Sequence, residues 1–230
     1  MSRRRKLEKF ATLLTYPHVY EMTEPVSSIL RRSLTEELDL RGQWKEAVYG
    51  SPDRPLCLEL ACGRGEYTVG LARLYSDKSF LGVDVKGARI YQGATIALEH
   101  KLSNAAFLRI KIEQIALYFA AGEIDEIWIT FPDPFAAKPN RRLTSPVFLD
   151  RYYDLLSSRA HIHLKTDDDD LFYYSVEEAE KHQRYEIITK CENISNIRKT
   201  SPELNIQTYY EKKHLSNNKT IKYLLLRKID

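Results

Sequence analysis

Short apolar runs alternate with longer amphipathic stretches along most of the chain. Buried strands are predicted for LCLEL (56–60), SFLGVDV (79–85), AAFLRIKI (105–112), EIDEIWITF (123–131) and AHIHLKT (160–166). Helical spacing of apolar residues predicts helices at 65–76, 87–103, 113–121, 145–157 and from the acidic run to about 183. Two further strands are predicted at 185–194 and 220–229. Five strands that alternate with helices predict an α/β protein with a parallel sheet and helices on both faces.

The pattern changes near Pro52 and Pro55, which mark a predicted boundary. Residues 1–50 are expected to form a basic N-terminal extension, helical around SSILRRSLTEEL (27–38), and residues 51–230 the α/β domain. No run of 18 apolar residues occurs, so a membrane span is not expected. The basic start MSRRRKLEKF lacks the apolar core of a signal peptide.

Charge is unevenly distributed, although the 230 residues carry a net charge of only +3. Residues 181–230 hold eleven Lys or Arg against five Asp or Glu, residues 167–180 hold seven acids, and RRRK occupies 3–6. This segregation suggests an anionic partner, with an ordinary solvated surface as the alternative. Three cysteines without metal-ligand spacing predict free thiols in a reducing cytoplasm.

A glycine loop follows the first predicted strand of the α/β domain. LELACGRGEY places Glu59 four residues before Gly63, with Gly65 after it. Glycines allow a sharp turn and a close approach to a ligand, and the next helix offers unpaired N–H groups. A dinucleotide fingerprint would need glycine at Thr68. The loop therefore favours a nucleoside ligand over a nicotinamide dinucleotide.

Acidic and basic residues follow the second and third predicted strands. Asp84, nineteen residues past Gly65, is placed to accept the hydroxyls of a ribose, or merely to cap the next helix. In RIKIEQI, Lys111 and Glu113 alternate with isoleucines and would share one face if the strand continues.

The fourth predicted strand ends in TFPDPF, with Asp133 between two prolines. A proline disfavours the helical region for the preceding residue, so Phe131 and Asp133 are both expected to be extended. Neither proline has a backbone N–H. We interpret the segment as a conformationally restricted loop that holds one carboxylate in a fixed orientation. An ordinary surface turn is the alternative.

These motifs occur in an order that resembles the bacterial tRNA (guanine-N7-)-methyltransferases, over roughly residues 55–215. They are LELACGRGEYTVGLA, FLGVDV, EIWITFPDPF, RRLTSPVFLDRYYDLL, IHLKTDDDDLFYYS and NIQTYYEKK. The resemblance implies a Rossmann-like class I methyltransferase fold, with a mostly parallel seven-stranded sheet and an antiparallel C-terminal strand. It also implies transfer of a methyl group from S-adenosylmethionine to N7 of a guanine at position 46, in the variable loop of tRNA.

By the same resemblance, each motif residue has an implied role. The cofactor is implied to be held by Glu59, Gly63, Gly65 and Asp84. The residue implied at the reaction centre is Asp133. The tRNA is implied to be contacted by Lys138, Arg141, Arg142, Asp167, Thr208, Tyr209, Tyr210 and Glu211. A cytoplasmic enzyme is expected, monomeric or homodimeric, with tRNA as its partner and without a metal or a membrane.

Two departures from the family pattern bear on the site. The family usually has an Asp after its third strand, where this chain has Lys111, so Glu113 or backbone groups would serve the cofactor's adenine instead. The loop after Asp133 is about two residues shorter than usual, so either Lys138 or Ala137 corresponds to the expected lysine. Phe135 stands where Trp is common.

The sequence is also compatible with two other functions, and two of its motifs have simple structural interpretations. The other functions are a nicotinamide oxidoreductase and a non-catalytic RNA-binding module on a methyltransferase scaffold. His161 and His163 share one strand face, and we expect satisfied strand histidines rather than metal ligands. In the run at 167–170 we assign helix capping and charge to Asp168–Asp170, and single out only Asp167.

Overall fold

The computed structural model describes residues 3–215 and 219–230, and the chain divides into two compact units, Met1–Ala120 and Ala121–Asp230. The side chains of the basic run at 3–6 lie outside the described part. The first unit contains α1 (Arg3–Leu13), β1 (Val19–Met22), β2 (Leu30–Arg32), β3 (Glu36–Leu38), β4 (Leu56–Leu60), α2 (Glu66–Leu74), β5 (Ser79–Val83), α3 (Gly87–Glu99) and β6 (Ala105–Arg109). A π-helical turn at Trp44–Val48 and a 3₁₀ helix at Ile112–Leu117 complete it.

The strands of the first unit have the order β3-β2-β1-β6-β5-β4. The neighbouring strands β1, β6, β5 and β4 pair parallel with one another. β2 pairs antiparallel with both β1 and β3. β4 and β5 are buried at every position, as expected for strands covered on both faces. Leu60 pairs with Val83, and Val83 with Leu108, so the loops after these strands leave the sheet at one edge.

The helix predicted around residues 27–38 is wrong, because β2 and β3 form a hairpin there. Its turn contains Ser33 and Leu34, whose φ angles are 49° and 70°. Positive φ is uncommon outside glycine, and two-residue hairpin turns are usually recognised by Gly, Asn or Asp. Ser33 and Leu34 are none of these, so the sequence did not indicate a turn here. Arg32 and Glu36 form an ion pair across the turn at 2.6 Å. The same i,i+4 spacing supports helices, which explains the wrong prediction.

The second unit contains β7 (Ile124–Thr130), α4 (Pro146–Leu155), β8 (Leu156–Thr166), α5 (Asp169–Lys181), β9 (Tyr185–Cys191), α6 (Tyr209–Leu215) and β10 (Lys222–Lys228), with 3₁₀ turns at Pro139–Arg141, Ile194–Asn196 and Pro202–Asn205. Its strands have the order β7-β8-β10-β9. β7 and β8 are parallel, and β10 is antiparallel to β8 and β9. Together the two units confirm the α/β class with mostly parallel pairing and antiparallel C-terminal strands. All seven predicted strands are present, and β1–β3 were not predicted.

Candidate active site

The loop after β4 is organised around the carboxylate of Glu59. This side chain is buried, and its Oε2 accepts hydrogen bonds from the backbone N–H of Thr68 at 2.8 Å and from the Thr68 hydroxyl at 2.5 Å. Glu59 therefore ties the end of β4 to the first turns of α2. A glycine at position 68, as in a dinucleotide fingerprint, would lose the hydroxyl contact. Its predicted contact with the cofactor stays a prediction.

The two loop glycines meet different surroundings, although both have positive φ. Gly65 has a φ of 68°, and a Cβ there would lie 2.5 Å from Cε1 of Phe107 and 3.2 Å from the Cα of Gly93. Gly63 has a φ of 56° and its Cβ direction is open, with the nearest atom 3.9 Å away. Gly65 is thus required for packing against β6 and α3, whereas Gly63 leaves open space beside the loop.

Asp84 connects the glycine loop to the start of α3. Its Oδ2 accepts the backbone N–H of Gly63 at 2.9 Å, and its Oδ1 accepts that of Lys86, the residue before α3, at 2.8 Å. Asp84 thus holds the turn before α3 rather than capping the helix, whose N-cap residue is Lys86. A carboxylate has about four acceptor positions, so two backbone bonds leave capacity for hydroxyl donors. The ribose role stays a prediction that this geometry permits.

The thiol next to this loop is not a candidate nucleophile. Cys62 is buried, and burial together with the charges of Glu59 and Asp84 raises its pKa well above the ordinary value. The thiol consequently stays protonated and unreactive at neutral pH.

Lys111 and Glu113 do not share a strand face, because β6 ends at Arg109. Glu113 lies in the first turn of the 3₁₀ helix at Ile112–Leu117, and both side chains are exposed. The predicted strand to residue 112 is therefore wrong, and with it the alternation that placed the two side chains together. Their part in cofactor binding remains a prediction without that support.

Asp133 is exposed on the loop that follows β7. The loop begins with Phe131, whose φ is 48°, so the expectation of an extended Phe131 is wrong. The Phe131 N–H donates to the Lys165 carbonyl at 2.8 Å, one residue beyond the last β7–β8 pair. Positive φ before a proline is costly, and such strain is typical of functional sites.

The basic loop after Asp133 contains one buried and two exposed cations. Lys138 and Arg141 are exposed, and the Arg141 guanidinium lies 4.7 Å from the centroid of the Phe135 ring. Arg142 is only 3% exposed, and its Nε donates to the Pro134 carbonyl at 2.8 Å. Lys138 and Arg141 are accessible to a polyanion, whereas Arg142 is committed to the protein interior.

The four acids at 167–170 have separate partners. Asp167 Oδ2 accepts from Nζ of Lys219 at 2.7 Å, an ion pair that raises the lysine pKa. Asp168 accepts the Leu171 N–H at 2.7 Å, which confirms it as the cap of α5. Asp169 pairs with Lys222 and Asp170 with Arg142. Within the described ranges, no group of three or more His, Cys, Asp or Glu side chains is arranged to hold a metal ion.

The segment TYYE divides into two buried and two exposed side chains. The Thr208 hydroxyl accepts the Glu211 N–H at 3.1 Å at the start of α6, and both residues are buried. Tyr209 and Tyr210 are 46% and 39% exposed, with ring centroids 5.7 Å apart in an edge-to-face arrangement. The tyrosines can meet a ligand, while Thr208 and Glu211 shape the segment that presents them.

Lys165 is the main residue that sequence reasoning missed. Its side chain is completely buried, and Nζ donates to the carbonyls of Leu204 at 3.1 Å and Ile206 at 3.0 Å and to Glu211 Oε2 at 2.8 Å. Arg198 donates to the other oxygen of Glu211 at 2.5 Å. Burial lowers the pKa of Lys165 to about 8, although Glu211 acts in the opposite direction. One signal was available, a lysine inside the apolar strand HIHLKT.

His163 is a buried core histidine, and the expectation that its ring is satisfied holds for Nδ1 only. Its ring stacks on Trp128 with centroids 3.7 Å apart. Nδ1 lies 2.7 Å from the Tyr223 hydroxyl, and Nε2 lies 3.1 Å from a carboxylate oxygen of Glu126. Nδ1 therefore has a hydrogen-bond partner within the second unit, whereas Nε2 lies near the Glu126 carboxylate without a hydrogen bond.

The glycine loop and the strand-end acid fit a Rossmann-like nucleoside-binding fold, and the comparisons identify its class as the methyltransferases that use S-adenosylmethionine. Solved structures of this class are similar in fold. The 16S rRNA methyltransferase KamB matches with a TM-score of 0.64 at 11% identity, covering 85% of this chain and 97% of that one. An antibiotic-related methyltransferase matches with a TM-score of 0.63 at 18% identity, covering 84% and 96%.

Sequence comparison is more specific than the fold. A family model described as "Putative methyltransferase" matches residues 53–224. The tRNA (guanine-N(7)-)-methyltransferase of Bacteroides thetaiotaomicron is 44% identical over 96% of this chain and 85% of its own length. The proteins of the same name from Christiangramia forsetii and Porphyromonas gingivalis are 42% and 41% identical, over 89% and 91% of this chain and 92% and 84% of theirs. The chain belongs to the tRNA (guanine-N(7)-)-methyltransferase family.

Of the helices in the described ranges, none combines the length and apolar character that crossing a bilayer requires.

Proposed function

We propose that the protein transfers the methyl group of S-adenosylmethionine to N7 of guanine at position 46, in the variable loop of tRNA. The relatives at 41–44% identity carry the name of this reaction. The observation that carries the proposal is the exposed Asp133 carboxylate, on a loop anchored at Phe131 and Pro134 in a chain of this family. The reaction belongs in the cytoplasm, where bacterial tRNA is modified.

Cofactor binding is assigned to the first unit. Asp84 accepts the ribose hydroxyls with the acceptor capacity that its two backbone bonds leave free. The open side of Gly63 admits the cofactor close to the backbone. Glu59 acts mainly by holding the loop and α2 in register, through Thr68. Lys111 and Glu113 flank the adenine from exposed positions.

The chemistry needs alignment more than proton transfer. Guanine N7 has an in-plane lone pair and no hydrogen, and the sulfonium is already an activated methyl donor. The enzyme therefore gains most from holding N7, methyl and sulfur in line. Asp133 accepts hydrogen bonds from the guanine N1–H and amino group, or stabilises the positive charge of the methylated base.

RNA binding is assigned to exposed residues of the second unit. Lys138 and Arg141 meet phosphates, and Tyr209 and Tyr210 stack on exposed bases. The N7 edge lies in the deep groove of an RNA helix, so the target base has to be exposed or flipped. Asp167 contacts the substrate after its ion pair with Lys219 is broken. Affinity for tRNA should then fall steeply with salt.

The decisive experiment is methylation of an unmodified tRNA transcript, read by nucleoside mass analysis. Wild type should form 7-methylguanosine, and a transcript with adenine at position 46 should not be modified. Absence of the product while S-adenosylhomocysteine still binds would contradict the proposal and favour a non-catalytic RNA-binding role. Binding of NADH instead would favour an oxidoreductase.

Asp133→Ala tests the assigned role of the carboxylate. We expect the rate of methyl transfer to fall on the order of 10²-fold, as for loss of one preorganised electrostatic group. Affinity for S-adenosylhomocysteine should stay within about twofold, because the substituted residue is exposed and is assigned to the guanine rather than to the cofactor. Equal losses in rate and cofactor affinity would place Asp133 in the cofactor site instead.

A further inference from the structure

Arg142 is buried between the Asp133 loop and α5, unlike its neighbour Arg141. Its Nε donates to the Pro134 carbonyl at 2.8 Å, and its guanidinium pairs with Asp170 and lies 4.4 Å from the centroid of the Tyr174 ring. With 3% of its surface exposed, the guanidinium has a hydrogen-bond acceptor, a counter-ion and an aromatic face within the protein. A phosphate ligand requires exposed donors, and Arg142 does not provide them.

The Asp133 loop depends on anchors of this kind because its prolines remove backbone donors. Pro132 and Pro134 have no N–H, so the segment has fewer backbone donors with which to hold its conformation, and its carbonyl oxygens become more important as anchors. The Phe131 N–H is bound to the Lys165 carbonyl at 2.8 Å, which fixes the loop before Asp133. Arg142 binds the Pro134 carbonyl, which fixes it directly after.

We propose that Arg142 is a positioning residue for Asp133 and not a tRNA phosphate ligand. The proposal rests on the proposed role of Asp133 in methyl transfer, and it reassigns one of the two arginines that the family resemblance placed on the tRNA side. Arginine is needed because its planar fork reaches a carbonyl and a carboxylate together while stacking on Tyr174. Lysine supplies the charge but not this geometry.

The test compares Arg142→Lys with Arg141→Gln, a matched control in the adjacent residue. For Arg142→Lys we expect kcat to fall about tenfold, as for a misaligned reacting group, while KM for tRNA and the salt dependence of tRNA binding stay at wild-type values. For Arg141→Gln we expect a higher KM for tRNA and a salt slope reduced by about 1, with kcat nearly unchanged.

A second variant covers the case in which Arg142→Lys fails to fold. Asp170 is 72% exposed, so Asp170→Asn removes the counter-ion of Arg142 without creating a cavity. We expect kcat to fall about threefold with unchanged affinity for tRNA, because a guanidinium–carboxylate bond contributes a modest share of the anchoring. Cofactor affinity, measured with S-adenosylhomocysteine, should match wild type in both variants.

The outcomes separate this inference from the proposed function. If Arg142→Lys weakens tRNA binding and lowers the salt slope as Arg141→Gln does, with kcat unchanged, Arg142 is a phosphate ligand and the inference is overturned. Wild-type kcat in both Arg142→Lys and Asp170→Asn also overturns it. If the wild-type protein forms no 7-methylguanosine at all, the proposed function fails first, before any variant is compared.

Discussion

Replacing Lys165 by methionine should destabilise the protein by about 3 kcal/mol, because one buried ammonium holds three acceptors of the C-terminal segment. An ammonium has three N–H donors, and Lys165 uses them on the Leu204 and Ile206 carbonyls and on Glu211. Methionine has a similar length and fills the space, but it leaves all three acceptors without this donor.

The magnitude follows from the buried pair that the substitution breaks. Removing one partner of a buried ion pair costs about 3–5 kcal/mol, because the other charge stays buried. Glu211 keeps its bond from Arg198 at 2.5 Å, which places the expected loss at the lower end of that range. For a chain of this size, about 3 kcal/mol corresponds to a fall in Tm of roughly 6–12 °C.

The assay is urea and thermal unfolding of wild type, Lys165→Met, Glu211→Gln and the double variant. The double variant should be more stable than the sum of the two single losses predicts, with a coupling of about 1–3 kcal/mol. Each single variant leaves one charge of the pair buried without its partner, whereas the double variant removes both charges. A loss below about 1 kcal/mol for Lys165→Met, or additive single losses, would refute the reasoning, because the three bonds would then contribute little.

Three further predictions concern the titration of Lys165, the loop glycines and Asp84. The pKa of Lys165 is about 8 in the folded chain and 10.5 in the unfolded chain, so the unfolded state binds more protons between these two pH values. The free energy of unfolding should therefore rise with pH over this window, by at most about 3 kcal/mol. Urea unfolding of wild type, compared with Lys165→Met at each pH, measures this rise. Gly65→Ala should lower Tm more than Gly63→Ala, because only its Cβ overlaps Phe107. Asp84→Asn should weaken S-adenosylhomocysteine binding about tenfold by calorimetry, since an amide nitrogen cannot accept.

The parallel core could be predicted because its strands are continuous apolar runs. β4, β5 and most of β7 are buried along their length, so runs such as LCLEL needed no alternation to be recognised. The hairpin at 30–38 gave no such signal. Its strands are three residues long, they contain charged residues, and Leu34 lies at an exposed turn with positive φ. Local pattern favoured a helix that the antiparallel pairing overrode.

The site divides in the same way into residues that a local motif marks and residues that only tertiary contacts mark. Gly65, Asp84 and Asp133 stand in short motifs, so their spacing alone singled them out. Arg142 and Lys165 depend on partners 28 and 46 positions away, Asp170 and Glu211. No local pattern tells a buried cation from a solvated one, since burial is decided by which distant acid the fold brings to it.

The Asp133 loop shows why a buried cation such as Arg142 matters to a reaction that needs no general base. The two prolines restrict the loop but cannot anchor it, and Phe131 adopts a positive φ that is unfavourable in isolation. The conformation persists because the backbone carbonyl of Lys165 accepts the Phe131 N–H before Asp133, and the Arg142 guanidinium donates to the Pro134 carbonyl after it. When catalysis rests on alignment, a displacement of the carboxylate by about 1 Å is expected to cost on the order of 10²-fold in rate. The residues that set the rate therefore include Arg142, which we expect never to touch the substrate.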